Sequence, residues 1–450
     1  MNRTLTTERL EDVIDRGVGV INNLYSHGYI APATHYEGSF AWDTGIVASG
    51  IAPLQPQRAK ETIMYHLAHS WNNGMSPSIV YAKSRQLPPV DVLQWNTRVL
   101  ARDQLTTRAH TSGITQPLTM VEAAFRVGAH LPMAERTAFW SQCIPAFAAD
   151  YRFRFEAENP DNSNLFASWS SLATGRDDAR DLMEHSYSLP WQQHHPVAWR
   201  LAEQAQRFRT DLHNPDLDDN QRTSLLDGIH IGVGLLSLQA CRFQPTLANH
   251  DFFVQDVLVN SVAQQGMGRL QEMADATHIS LPADLLQDFD KARANFNLLY
   301  DDITGHYLSR DARTGLHIPI PTAASLTALF NPVIPRAHAQ RLIYEHLFNE
   351  DEFFGTYGIP SLPRNSPWYD DLRFWNGPEW APITFLVTEG LRQYETEAAN
   401  ELLRRRLART AITGCREYGS VDRPIGGGTN EQSWSASEDI RSAIILRHAV

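Results

Sequence analysis

SWSSLATGRDDARD, residues 168–181, interrupts a helical sequence with a polar loop carrying a tryptophan and three acids in five residues, Asp177, Asp178 and Asp181. On its N-terminal side, periodicity predicts helices over 117–130 and 135–154, with Pro117 placed as a first-turn residue. On its C-terminal side it predicts helices over 194–208, 222–242, 249–277 and 282–298. The same alternation runs outward to both ends. Residues 7–24 read as an amphipathic helix with Leu10, Val13, Ile14, Val18 and Ile21 on one face, followed by a loop at 25–40. Small residues after Trp42 and Asp43 permit close helix packing, and a helix follows at 56–71. Residues 70–81 are turn-rich and 85–112 irregular, and the alternating aromatics of 301–316 suggest a β-hairpin. Helices resume at 321–330 and 335–347, an aromatic, Pro/Gly-rich loop fills 350–377, and helices over 378–395, 397–413 and 434–448 complete the chain.

About a dozen helices with long loops between them, and no strand–helix alternation, predict an all-α fold. The arrangement that fits is an (α/α)6 barrel, a toroid whose long loops (25–40, 80–110, 156–190 and 350–377) build a cleft on one rim. No Pro/Gly/Ser linker divides the sequence, so residues 1–450 are expected to form one domain. GxGxxG and Walker A patterns are absent, and no cofactor is expected.

Composition narrows the partners. A net charge of −12 without a basic run argues against nucleic acid. No run of 18 apolar residues and no apolar segment near the start points to a membrane. Three widely spaced cysteines suit a reducing compartment, so a cytoplasmic protein is expected, and a homo-oligomer is compatible with it. Eleven Trp, 14 Tyr and 19 Phe supply flat faces that suit sugar rings as well as cores. No metal site is expected, because HExxH is absent and DLDDNQ (216–221) lacks the glycine of a calcium loop.

Several segments can carry chemistry, each with a plainer alternative. GRDD (175–178) offers a carboxylic acid downstream of Trp169, or an ordinary helix cap. CREYGSVDRPIGGGTNEQSWSA (415–436) places Glu417 before three glycines that allow close backbone approach, or is a helix–loop–helix with a surface glutamate. RFWNGPEWAPI (373–383) sets Trp375 and Trp380 around a turn, where they can grip a sugar or fill a core, while Glu379 reads as a helix-terminal cap. FAWDTG (40–45) holds Asp43 beside Trp42, an acid that needs hydrogen bonds if buried. TSGITQP (111–117) ends in Gln116, able to read hydroxyls or to cap the next helix.

Taken in order, these segments resemble the (α/α)6-barrel glycoside hydrolases of family 63, in particular small bacterial members that hydrolyse glucosylglycerate or mannosylglycerate. The resemblance spans nearly the whole chain: FAWDTG, WNNGMSP, TSGITQP, GRDD, TGHYLSRDARTG, IPTAASLTALF, TYGIPS, WNGPEW and EYGS…GGGTNEQSWSA. It implies Asp177 as general acid and Glu417 as general base of an inverting hydrolysis. It implies Trp42, Asp43, Gln116, Trp375 and Trp380 as the sugar's holders, with Gly377 and Trp434 also in the substrate-binding set. Tyr36, Arg222 and Gln432 stand as counterparts of the family's glycerate contacts, so a small α-glycoside with a carboxylate aglycone is the implied substrate. Asn376 and Ser78 replace the family's basic residue and histidine, and AKSRQLPPV (82–90) lacks its tyrosine. Alternatives are an α-glucosidase on another small glucoside or disaccharide, a sugar epimerase on a similar toroid using His194 or His195, and a non-catalytic carbohydrate-binding protein. Asp178 is the rival acid and Asp181 a weaker one.

Overall fold

A computed structural model describes residues 7–36, 38–82, 110–207 and 219–449. Outer helix α1 (Thr7–Leu24) precedes inner α2 (Ala41–Ile51), and α3 (Pro56–Leu67) returns on the outside. The alternation continues through inner α4 (Thr119–Ala129) and outer α5 (Met133–Ala157). An excursion follows: α6 (Arg180–Ser188), α7 (Trp191–His194), α8 (Pro196–Arg207) and α9 (Asp219–Ala240). The ring then resumes with inner α10 (Val257–Thr277), outer α11 (Ala283–Asn295) and an inner 3-10 helix, Ser325–Phe330. Outer α12 (Arg336–Arg341) runs into a π-helical turn, Leu342–Leu347. Inner α13 (Ala381–Leu391), outer α14 (Thr396–Thr413) and inner α15 (Ser433–Arg447) finish the chain.

The inner elements close on themselves: α2 packs on α4, α4 on α10, α10 on the 3-10 helix, that on α13, α13 on α15, and α15 back on α2. Among the described residues, six inner elements lie inside six outer ones, an (α/α)6 toroid. Every residue of α2 is buried, as expected for a helix with neighbours all round. Its small residues set the packing distance. A Cβ on Gly45 would lie 2.1 Å from Thr119 Oγ1 of α4, and one on Gly50 2.4 Å from the Ser437 carbonyl of α15. Outer helices are half-apolar: α1 buries Leu10, Val13 and Ile14 against Leu403 and Leu407 of α14 and Leu446 of α15. Burial of each such side chain is worth about 1.5–3 kcal/mol.

Alternation of outer and inner helices makes the inner ones run parallel, so their N-termini share one rim. Short antiparallel sheets decorate it. Gly38–Phe40, Ile79–Tyr81 and His110–Thr111 form one; Glu379–Trp380, Tyr418–Gly419 and Gly426–Gly427 form another. Strands Gly38–Phe40 and Glu379–Trp380 lead directly into α2 and α13.

The expected elements shift where side chains decide the boundary. The helix expected from 249 starts at Val257, because the Asp256 carboxylate caps it by accepting from the Val259 N–H at 3.0 Å. The 301–316 hairpin survives only as bridges Tyr300–Tyr307 and Arg310–His317, since Arg310–Asp311 pairs with Val254–Gln255 instead. The expected loop 156–190 contains α6. Most of 85–112, the core of the 80–110 loop and DLDDNQ up to Asp218 lie outside the described residues. Among those described, no helix is long and apolar enough to cross a membrane.

Candidate active site

The first turn of α2 carries Trp42 and Asp43 into the ring's mouth. Gln116, just before α4, accepts from the Trp42 backbone N–H at 3.2 Å through Oε1, which leaves its amide nitrogen as a donor. Asp43 is buried, and its Oδ1 has no hydrogen-bond partner among the described residues; Trp42 Nε1 is in the same state. Burial pushes the Asp43 carboxyl well above the ordinary range, and the charges of Glu417 and Asp177 push it further. Unpartnered buried polar atoms are costly, and a ligand rich in hydroxyls satisfies both at once.

The 168–181 stretch is held from below. Residues Ser171–Thr174 form a 3-10 turn that ends at Gly175 with φ +75°. A Cβ there would also come within 3.2 Å of the Trp42 indole nitrogen, so only glycine suits the site. Buried Arg176 anchors the loop: it grips Asp181 with two bonds of 3.1 and 2.9 Å, Thr322 at 3.1 Å, and also Asp256. Asp181 is thereby committed to a buried ion pair. Arg176→Ala would strand two carboxylates, and a loss of about 3–5 kcal/mol is expected, measurable as a lower melting temperature.

Asp178 turns away from the cavity to accept from the Trp375 N–H at 3.3 Å. Burial, helped by the charges of Asp227 and Asp177, raises its carboxyl to about 7. The folded state therefore binds the extra proton between the ordinary carboxylate range and about pH 7, and stability should fall as pH rises through that window. Asp178→Asn should abolish that slope and raise stability at pH 8, by at most about 4 kcal/mol; melting curves at pH 5 and pH 8 check it. Asp177, its neighbour, lines the cavity instead.

Glu417 also lines the cavity, immediately before strand Tyr418–Gly419. Burial raises its carboxyl, and an N–H bond from Thr429 to Oε2 at 3.0 Å only partly offsets this. Gly428, at φ +66°, approaches so closely that a Cβ would sit 2.2 Å from Glu417 Oε2. Gly428→Ala is thus expected to displace the carboxylate and lower turnover roughly 10–100-fold while the protein still folds, read as kcat against melting temperature. Trp434 Nε1 donates to the Glu417 carbonyl at 3.1 Å, and Gln432 Oε1 accepts from Thr429 Oγ1 at 2.8 Å.

These groups meet in one cavity of about 270 Å3, near the lower end of ordinary small-molecule pockets, roughly 300–1,000 Å3. Its lining includes Tyr36, Trp42, Asp43, Gln116, Asp177, Trp375, Trp380, Glu417, Gln432 and Trp434, ten of the residues read from the sequence. Two expectations fare differently. Gly377 is absent from the lining; its N–H donates to Ser361 Oγ at 2.9 Å, and a Cβ would strike the Asp370 carbonyl at 2.0 Å, so it serves packing. The Arg222 side chain lies outside the described residues.

Trp375 and Trp380 do not flank a ligand from two sides. They stack on each other, centroids 4.0 Å apart and planes 4° from parallel, as one wall. Glu379 is no cap: wholly buried, it receives Arg406 at 2.7 Å on both oxygens, with Arg409 and Thr384 beside them. Burial pushes its carboxyl up, but Arg406 and Arg409 outweigh that and hold it below the usual range. Sequence reading did not place Pro32, Phe40, Ser78, Ile79, Leu172, Gly175 and Phe374 in the lining. All but Pro32 sit inside or within two residues of the quoted motifs, and Phe374 carries a further mark, a φ of +31°.

Comparison with known proteins fits this geometry. Mannosylglycerate hydrolase of Rubrobacter radiotolerans is 24% identical over 439 residues, 95% of this chain and 96% of its own. Glucosylglycerate hydrolase of Mycolicibacterium hassiacum is 26% identical over 433 residues, 89% of this chain and 91% of its own. The crystal structure of GH63 mannosylglycerate hydrolase from Thermus thermophilus in complex with Tris and D-glycerate superposes with a TM-score of 0.81 at 21% identity, covering 95% of this chain and 99% of that one. The family model of the mannosylglycerate hydrolase MGH1-like glycoside hydrolase domain matches residues 36–435, and the chain belongs to that family of glycoside hydrolases.

Proposed function

We propose that the protein hydrolyses the α-glycosidic bond of a small glycosylglycerate, glucosylglycerate or mannosylglycerate, with inversion at the anomeric carbon. The observation that carries this reading is a single sugar-sized cavity lined by Asp177 and Glu417 and by the unpartnered Trp42 Nε1 and Asp43 Oδ1. Asp177 protonates the glycosidic oxygen. Glu417, ionised, takes a proton from a water attacking the opposite face. The Asp43 oxygen and the amide nitrogen of Gln116 hold sugar hydroxyls, and the Trp375–Trp380 wall packs on the ring. An inverting pair needs carboxyls about 6.5–9.5 Å apart, with room for that water. Tyr36 and the amide nitrogen of Gln432 face the aglycone, where donors suit a carboxylate. The three cysteines are free, in keeping with work in a reducing cytoplasm.

A neutral α-glucoside is the second reading. Among the described residues, the cavity lining carries the carboxyls of Asp43, Asp177 and Glu417, with no Lys or Arg beside them. Glycerate then depends on a cation from elsewhere, Arg222 being the candidate. Comparing kcat/KM for α-glucosylglycerate, α-mannosylglycerate and α-glucosylglycerol separates the readings. Preference for a glycerate substrate, lost in Arg222→Met, supports the first. Equal or better use of glucosylglycerol overturns it in favour of the second.

A further inference from the structure

His306, His346 and Glu352 converge on one another, and none of them lines the cavity. Their ligand atoms all lie within 4.8 Å of one another. His306 follows the turn at Thr304–Gly305, His346 rides on the π-helical turn, and Glu352 comes five residues after that turn ends at Leu347. Single π turns frequently mark functional positions, because the extra residue re-aims a side chain. Both imidazoles are buried, with ring centroids 3.6 Å apart.

The hydrogen bonds around the cluster restrict where its protons sit. His346 Nε2 lies 3.0 Å from the Thr304 carbonyl oxygen. A carbonyl only accepts, so Nε2 carries the proton and the Nδ1 of a neutral ring is a lone pair. That lone pair faces Glu352 Oε2 at 2.8 Å, acceptor against acceptor. His306 Nε2 points at the same oxygen from 3.8 Å, while its Nδ1 pairs with Ser325 Oγ at 3.2 Å. One proton between His346 and Glu352 does nothing for His306. A divalent cation engages all three.

We propose that His306 Nε2, His346 Nδ1 and a Glu352 carboxylate oxygen form a structural binding site for one divalent cation of the zinc class. Two imidazoles and one carboxylate suit zinc or a late first-row neighbour rather than calcium or magnesium, which prefer all-oxygen sites. Tetrahedral bonds of about 2.0–2.2 Å set ligand atoms about 3.4 Å apart, and the observed 2.8 and 3.8 Å straddle that value. Water completes the shell from the side of Glu352, whose side chain keeps 17% exposure. Thr304, Ser325 and Asn349, the last donating to Glu352 Oε1 at 3.3 Å, hold the three ligands in place. The ion would tie the π turn and two loops to the inner 3-10 helix that bears Ser325.

The test uses the tag-free, chelator-stripped chain titrated with Zn2+ against a chromophoric chelator. One equivalent is expected, with a higher melting temperature. Glu352→Gln and His306→Asn should each weaken binding at least about tenfold. His195→Ala, in the separate pair on Asp251, should bind as the parent does. Equal binding by Glu352→Gln, or no stoichiometric binding by the parent chain, overturns the proposal. Should a variant fail to fold, Co2+ added to the parent decides: tetrahedral absorption bands support the site, and an aquo-ion spectrum alone overturns it.

Discussion

Asp177→Asn is expected to lower kcat/KM on a natural glycoside roughly 10²–10⁴-fold with the melting temperature nearly unchanged. Asparagine keeps the size of the side chain but has no proton to give the departing oxygen. The loss should depend on the leaving group. An α-glycosyl fluoride departs without protonation, so the variant should recover most of its rate on that substrate. Asp178→Asn serves as the internal control, because Asp178 is engaged with the Trp375 N–H and is not among the cavity's lining residues. Loss of turnover in Asp178→Asn with retention in Asp177→Asn would transfer the acid role to the neighbour.

Glu417→Gln should be as severe, roughly 10²–10⁴-fold, but without relief on the fluoride. Attack by water is needed whatever leaves, and glutamine cannot accept its proton. The pH profile carries a second signature. A base works ionised, and burial raises the Glu417 carboxyl, so the acidic limb of kcat/KM should fall at a pH above that of an ordinary glutamate. Exogenous azide, small enough to take the water's place, should restore glycosyl transfer to Glu417→Gln and not to Asp177→Asn. A glutamine variant that keeps full rate would remove Glu417 from the mechanism.

Helix periodicity exposed most of the barrel because the layers differ in kind. Outer α1 shows a stripe, while inner α2 is small and apolar almost throughout, and both patterns are local. The boundary at Val257 depends on an Asp256 cap that competes with a plausible helical run. Glu379 followed Pro378 just as a capping acid does, and only Arg406 and Arg409, 27 and 30 residues later, reveal its partners. The cavity residues were legible through the order of motifs, not through spacing. Asp177 and Glu417 are 240 positions apart, and no local rule pairs them. The stacking of Trp375 on Trp380, the inward hold of Arg176 on Asp181 and the convergence of His306, His346 and Glu352 are tertiary facts with no sequence period.

The stereochemistry of the first turnover tests the central claim most directly. Proton NMR of the sugar released from α-glucosylglycerate or α-mannosylglycerate, recorded before mutarotation, should show the β-anomer appearing first. The α-anomer appearing first would contradict direct attack by a water held on Glu417, and no release of sugar would contradict the proposed substrate.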